Sequence, residues 1–207
     1  MDTGSRLDQL DRTAISDRLG SGRVSATLTR KLPEAPDRRP RPAAVLLPLF
    51  RHQEAWHLLF IRRTEHTGDD HSGQVAFPGG RRDLADPDAA ATALREAQEE
   101  IGLDPKQVRL LGKLRPLQTT NNYLVTPFVG EVPWPLDLTP DPVEVARVFH
   151  IPLAWLADPT HRQMRTWPEP DHPEARAVIF YDRFDRELLW GVSARITLDF
   201  LAILSRT

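Results

Sequence analysis

The chain has no cysteine. That excludes a disulfide framework, a thiolate zinc site and a cysteine nucleophile. It also lacks any apolar run of the roughly 18–20 residues that a membrane-spanning helix needs. Lysine is nearly missing: Lys31, Lys106 and Lys113 are the whole set, and arginine supplies the other cations. Arginine offers phosphate a planar fork, yet so general a preference reads as genome composition rather than as a binding signal. Neither sign of charge is in excess, since 27 basic and 29 acidic residues leave a formal net charge of −2. That balance predicts no nucleic-acid partner and no membrane partner. Met1 to Arg6 carry no apolar stretch of the kind that opens a secretory leader. A cytoplasmic setting is expected.

What is present is ordinary for a globular protein, with 207 residues, 40% hydrophobic and 27% charged. That is enough for one domain with its own core, needing no disulfide or metal staple. Two parts are expected. Residues 1–42 read as an N-terminal helix and an exposed connector. Leu7, Leu10, Ile15 and Leu19 stand near helical spacing within 5–19. Pro33, Pro36, Pro40 and Pro42 then break any period among several arginines. The run Arg38-Arg39-Pro40-Arg41 reads as solvated linker, with a phosphate contact as the alternative.

Residues 43–207 read as the folded domain. Ala43–Phe50 and Trp56–Arg62 are near-continuous apolar runs of strand length, suited to burial on both faces. A helix is expected over Asp88–Ile101, with Pro87 near its start and Gly102 at its end. Strands are expected at Val108–Arg115, Tyr123–Val132, Val143–Phe149 and Arg176–Tyr181, and helices at Pro152–Leu156 and Val192–Leu204. Such interleaving predicts an α/β (α+β) layered domain.

Chemistry concentrates between Gly79-Gly80 and Leu103. On a helix turning about 100° per residue, Glu96, Glu99 and Glu100 share one stripe. Ala90, Leu94, Ala97 and Ile101 form an apolar face. Arg95 lies one turn before Glu99 and can pair with it. Carboxylates so arranged repel one another, and a hard divalent cation such as Mg²⁺ or Mn²⁺ relieves that directly. Its open coordination positions suit diphosphate oxygens. The Gly-Gly turn lets backbone groups approach metal or phosphate with no side chain in the way. A Glu-rich face alone usually means only solubility. The set of Phe-Pro-Gly-Gly, Arg-Glu-Ala-x-Glu-Glu and Ile-Gly-Leu is far more specific.

That set resembles the Nudix box. Arg95, Glu96, Ala97, Glu99, Glu100, Gly102 and Leu103 fill the second half of its pattern. The first half departs: the step from Gly80 to Arg95 is one residue longer than the general pattern, and the upstream glutamate has no match, with Asp83 and Asp86 nearby. The longer turn is similar to that of the coenzyme A diphosphatase branch. So are Gly73–Gly80, Val125–Gly130, Glu144-Val145 and Trp190–Ala194. A basic residue usual in that branch's upstream motif is replaced by Asp69.

The resemblance implies an α/β/α sandwich with a mixed sheet, and hydrolysis of coenzyme A to 4′-phosphopantetheine and adenosine 3′,5′-bisphosphate. It implies Mg²⁺ or Mn²⁺ held by Glu96, Glu99 and Glu100, with the Gly80 carbonyl as a further ligand. Arg95 is expected to orient Glu99. The general base is a box glutamate or Glu144. Arg62, Arg63, Gly79 and Arg81 form the expected substrate-binding set. Another diphosphate compound (a dinucleotide, ADP-ribose or a damaged nucleoside triphosphate) is the alternative substrate, and a non-catalytic binding domain is the alternative class. A homodimer is left open.

Overall fold

The computed structural model describes residues 3–20, 39–65, 73–169 and 172–205. It opens with two short helices, α1 (Thr3–Asp8) and α2 (Arg12–Gly20). The spacing predicts one helix here. It breaks because the Asp11 carboxylate accepts the Ala14 N–H at 2.8 Å and starts a new one. Leu7, Ile15 and Leu19 are buried in the same core as the sheet, so these helices are integral to the fold. Most of the expected connector, residues 21–38, lies outside the described residues.

Strand β1 (Arg41–His52) starts two residues ahead of the expected Ala43. It turns into β2 (Ala55–Arg63) through Gln53 and Glu54, whose φ of 48° and 64° suit a two-residue hairpin. The chain continues through β3 (Val75–Ala76), β4 (Gly79–Arg81) and α3 (Ala89–Ile101). Strands β5 (Arg109–Lys113), β6 (Leu117–Gln118), β7 (Tyr123–Glu131) and β8 (Val145–Pro152) follow. Last come α4 (Leu153–Ala157), β9 (Arg162–Glu169), β10 (His172–Phe184), β11 (Glu187–Trp190) and α5 (Gly191–Leu204).

The main sheet runs β3-β2-β1-β7-β5, with β4 on β1, β6 on β7 and β8 on β2. It is mixed, because β1 and β7 are parallel from Arg41↔Tyr123 to Leu49↔Glu131 and the other pairs are antiparallel. One face buries Ala44, Leu46, Leu59 and Ile61 against Ala93, Ala97 and Ile101 of α3. The other buries Leu47, Leu49, Leu58 and Phe60 with Ile15, Leu156, Ile196 and Phe200. Each fully buried Leu, Ile or Phe contributes about 1.5–3 kcal/mol. Helices thus cover both faces, as expected.

Strands β9 to β11 form a second antiparallel sheet. Strand β9 has no apolar alternation to read, and its Met164 is 67% exposed. Pairing to β10 makes it a strand (Thr166↔Ala177, Arg165↔Val178, Met164↔Ile179). No described helix is long and apolar enough to cross a membrane.

Candidate active site

Helix α3 is fixed by local signals at both ends. The Asp88 side chain caps it by accepting from Ala91 N. Gly102 ends it in the left-handed region at φ 70°, with Gly102 N–H to Gln98 O and Leu103 N–H to Ala97 O. Between them the buried face is Ala93, Ala97, Ile101 and also Glu100, while Ala90 and Leu94 are only half-buried. The apolar face is therefore rotated from the predicted one, and it carries a carboxylate inward.

Strand β4 lies beside α3 and explains both glycines. Gly79 has φ 152°, and a Cβ there would meet the Ala44 carbonyl oxygen at 2.4 Å. A Cβ on Gly80 would stand 2.4 Å from Glu96 Oε2. The Glu96 carboxylate occupies the space a side chain would need.

Arg95 is the hub of the helix. Its Nε and Nη2 fork onto Asp86 Oδ1 and Oδ2 at 3.0 and 3.1 Å. Nη1 donates to Glu99 at 2.7 Å, and Nη2 to Glu96 at 2.9 Å and to the Arg81 carbonyl at 3.1 Å. Asp86 is buried and also accepts from Thr92 Oγ1 and Asp83 N, each at 2.9 Å. The Arg95 hydrogen bonds, more than any other cause, hold its carboxyl well below the usual carboxylate range. Asp86 was not assigned this role from sequence. Its place six residues after Gly80, at the position of the missing box glutamate, is the signal that could have found it.

Glu100 faces the opposite situation. It is 2% exposed, accepts from Gly79 N at 2.8 Å and lies 3.3 Å from Arg63 Nη1. Burial, reinforced by the charges of Glu96 and Glu144, nevertheless pushes it up to about 7. Burial also raises Glu96, with Glu99 and Glu144 adding to the push against Arg95. Glu144 thus acts on both box residues from the loop before β8, where its carbonyl accepts the Thr64 N–H at 3.0 Å. Glu99 is exposed. Two polar atoms beside this group, Arg63 Nε and Thr64 Oγ1, are buried without a hydrogen-bond partner.

The fold gathers Glu96, Glu99, Glu100, Arg95, Gly79, Gly80 and Arg63, with Glu144 in electrostatic reach. Arg62 instead sits 3.9 Å from Glu187 of β11. The Arg81 side chain is exposed. Among the described residues no three His, Asp or Glu side chains stand at metal-ligand spacing, and the box carboxylates are drawn to Arg95, Arg63 and Gly79 N. His66, His71 and Asp69 lie outside the described residues.

A family model described as the NUDIX domain matches residues 39–188. The uncharacterized Nudix hydrolase NudL of Photorhabdus laumondii is 37% identical over 169 residues, covering 80% of this chain and 88% of that protein. The NudL of Pectobacterium atrosepticum is 36% identical over 162 residues, 78% of this chain and 81% of that one. Among solved structures, RenU, a Nudix hydrolase from M. smegmatis, aligns at TM-score 0.49 with 22% identity over 57% of this chain and 74% of that chain. A MutT/nudix family protein from Enterococcus faecalis aligns at TM-score 0.49 with 16% identity over 84% of this chain and 63% of that chain. The chain is an enzyme that acts on pyrophosphate bonds, and it belongs to the Nudix hydrolase family.

Proposed function

We propose that this hydrolase cleaves the diphosphate of coenzyme A, releasing 4′-phosphopantetheine and adenosine 3′,5′-bisphosphate. The observation that carries the reaction is the crowding at Glu96 and Glu100, whose proton affinity is raised by burial and then by neighbouring carboxylates, Glu144 among them, beside two unpartnered buried donors. The substrate reading rests on the longer turn after Gly80 and the flanking segments that resemble the coenzyme A diphosphatase branch.

The donors are hard oxygens, and their mutual repulsion is what a divalent cation relieves, so the residues fit Mg²⁺ or Mn²⁺. Glu96, Glu99, Glu100 and the Gly80 carbonyl would hold it. When bound, the ion would neutralise phosphoryl charge and acidify a water. The protein does the rest. Arg95 holds Glu96 and Glu99 in orientation through its anchor on Asp86. Arg63, with its free Nε, and the Thr64 hydroxyl present donors to a phosphate oxygen. Glu144, exposed beside the box, takes the proton of the attacking water on a carboxylate oxygen.

The test is product analysis after incubating coenzyme A with Mg²⁺ in ¹⁸O-labelled water. Label in 4′-phosphopantetheine or in adenosine bisphosphate identifies both the bond and the phosphorus attacked. Preferred turnover of ADP-ribose, a dinucleotide or a nucleoside triphosphate would replace the substrate. No turnover of any diphosphate would leave a binding domain.

A further inference from the structure

We propose that the cavity between the start of β1 and the β6–β7 turn binds a phosphate that the substrate carries in addition to the diphosphate being cleaved. The proposal rests on the diphosphatase reading and adds to it a recognition site away from the box.

The cavity is about 350 Å³ and is lined by Arg39, Arg41, Asn121 and Asn122. That is within the size range of small-ligand sites. Its lining is guanidinium and amide, which is donor chemistry for phosphate. Arg41 is held in position. Its main-chain N–H donates to the Asn122 carbonyl at 2.8 Å, and its Nη2 donates to the Asn121 carbonyl at 3.2 Å. Its guanidinium lies 4.2 Å over the Tyr123 ring. A ring face and a carbonyl orient the fork but leave its charge uncompensated. Among the described residues, neither Arg39 nor Arg41 has a carboxylate within ion-pair distance, whereas Arg12, Arg62, Arg63, Arg95, Arg147 and Arg195 do.

The opposite wall is built as firmly. Asn122 takes φ 59°, its N–H donates to Thr119 O at 3.1 Å, and Gln118 Nε2 donates to its Oδ1 at 3.1 Å. Tyr123 N–H donates to Thr119 Oγ1 at 3.1 Å. A tied turn facing an anchored arginine gives a preformed site.

Register sets its distance from the box. On β1, Ala44 is opposite Gly80 and Ala43 opposite Arg81, and the ladder continues with Arg82 N to Pro42 O at 3.0 Å. Arg41 is three residues before Ala44, about 10 Å along the strand. Arg41 and Arg81 share the sheet face turned from α3. A nucleotide whose diphosphate meets Glu96 and Glu100 would have to cross the β4 edge to present a second phosphate to Arg41.

Calorimetric titration with adenosine 3′,5′-bisphosphate and with adenosine 5′-monophosphate tests this directly. The proteins are wild type, Arg39→Gln and the Arg39→Gln/Arg41→Gln double variant, each checked by melting temperature. Wild type is expected to bind the bisphosphate about tenfold tighter or more. The single variant should narrow that ratio, and the double variant should bring it near one with the monophosphate unchanged. Equal affinity in wild type, or a preference surviving both substitutions, would overturn the site. Turnover of coenzyme A against dephospho-coenzyme A separates the two readings. Bisphosphate preference without coenzyme A turnover keeps the cavity and removes the proposed substrate, whereas turnover without preference does the reverse.

Discussion

The β1–β2 hairpin carries a crowd of acids at one end and a crowd of imidazoles at the other. At the acid end Glu96 and Glu100 are both raised, Glu100 to about 7. At the turn end His57 and His150 share a hydrogen bond of 2.9 Å between their Nδ1 atoms. The His52 ring centroid lies 5.5 and 5.7 Å from theirs. Burial, then the neighbouring His150 and His52, pushes His57 down to about 4, and burial also lowers His150, with Asp185 opposing. Burial and like charge drive both groups toward their neutral forms. For histidine that is the ordinary state at neutral pH, and two neutral rings satisfy each other. For glutamate it is not, so the acid end carries a repulsion that a bound cation would relieve. Similar crowding therefore makes a structural cluster at one end and, on the proposed function, a reactive one at the other.

The sharpest way to break the comparison is Glu100→Gln. It removes a proposed ligand and relieves the repulsion. The expected result is a loss of kcat on the order of a thousandfold, with the metal-free melting temperature unchanged or raised. Steady-state kinetics with Mg²⁺ and a thermal melt read both, and near-normal turnover would mean the ion is held elsewhere.

Asp86→Asn acts on the buried acid at that end that the Arg95 fork holds. It should cost about 2–3 kcal/mol in urea unfolding, because the buried fork loses its charged acceptor. Turnover should fall as well, since Arg95 is then free to draw Glu96 and Glu99 out of alignment. Unchanged stability would show that the pair is not an anchor.

The smallest effect belongs to the imidazole end. A histidine whose folded pKa is lowered contributes stability that is complete above its ordinary value of 6.5 and is lost as pH falls toward about 4. Between pH 7.5 and 5.5 the His57 share of that loss is about 1 kcal/mol. Urea unfolding of wild type beside His57→Gln isolates it, and parallel pH profiles would refute it.

Legibility followed locality. The limits of α3 were readable because Asp88 and Gly102 act within one turn. The burial of β1 and β2 was readable from unbroken apolar runs. The break at Asp11 is also local but was hidden, because apolar spacing continues across it. Strand β9 left no trace, since backbone pairing rather than side-chain burial holds it. In the site, the Arg95–Glu99 pair follows from helical spacing. Asp86 on Arg95 and Arg63 on Glu100 do not, because turn and sheet register bring them together.

By itself, then, the order of residues determined which acids share a helical stripe, where that helix starts and stops, and which strands are sheathed on both sides. Those properties depend on period and on capping within a few residues. Only the packed molecule decided that Glu100 turns inward while Glu99 faces water, that Arg62 and Arg63 part to different partners, and that Arg41 meets the Asn121–Asn122 turn. These depend on which faces the sheet presents and on the register of strands far apart in the chain.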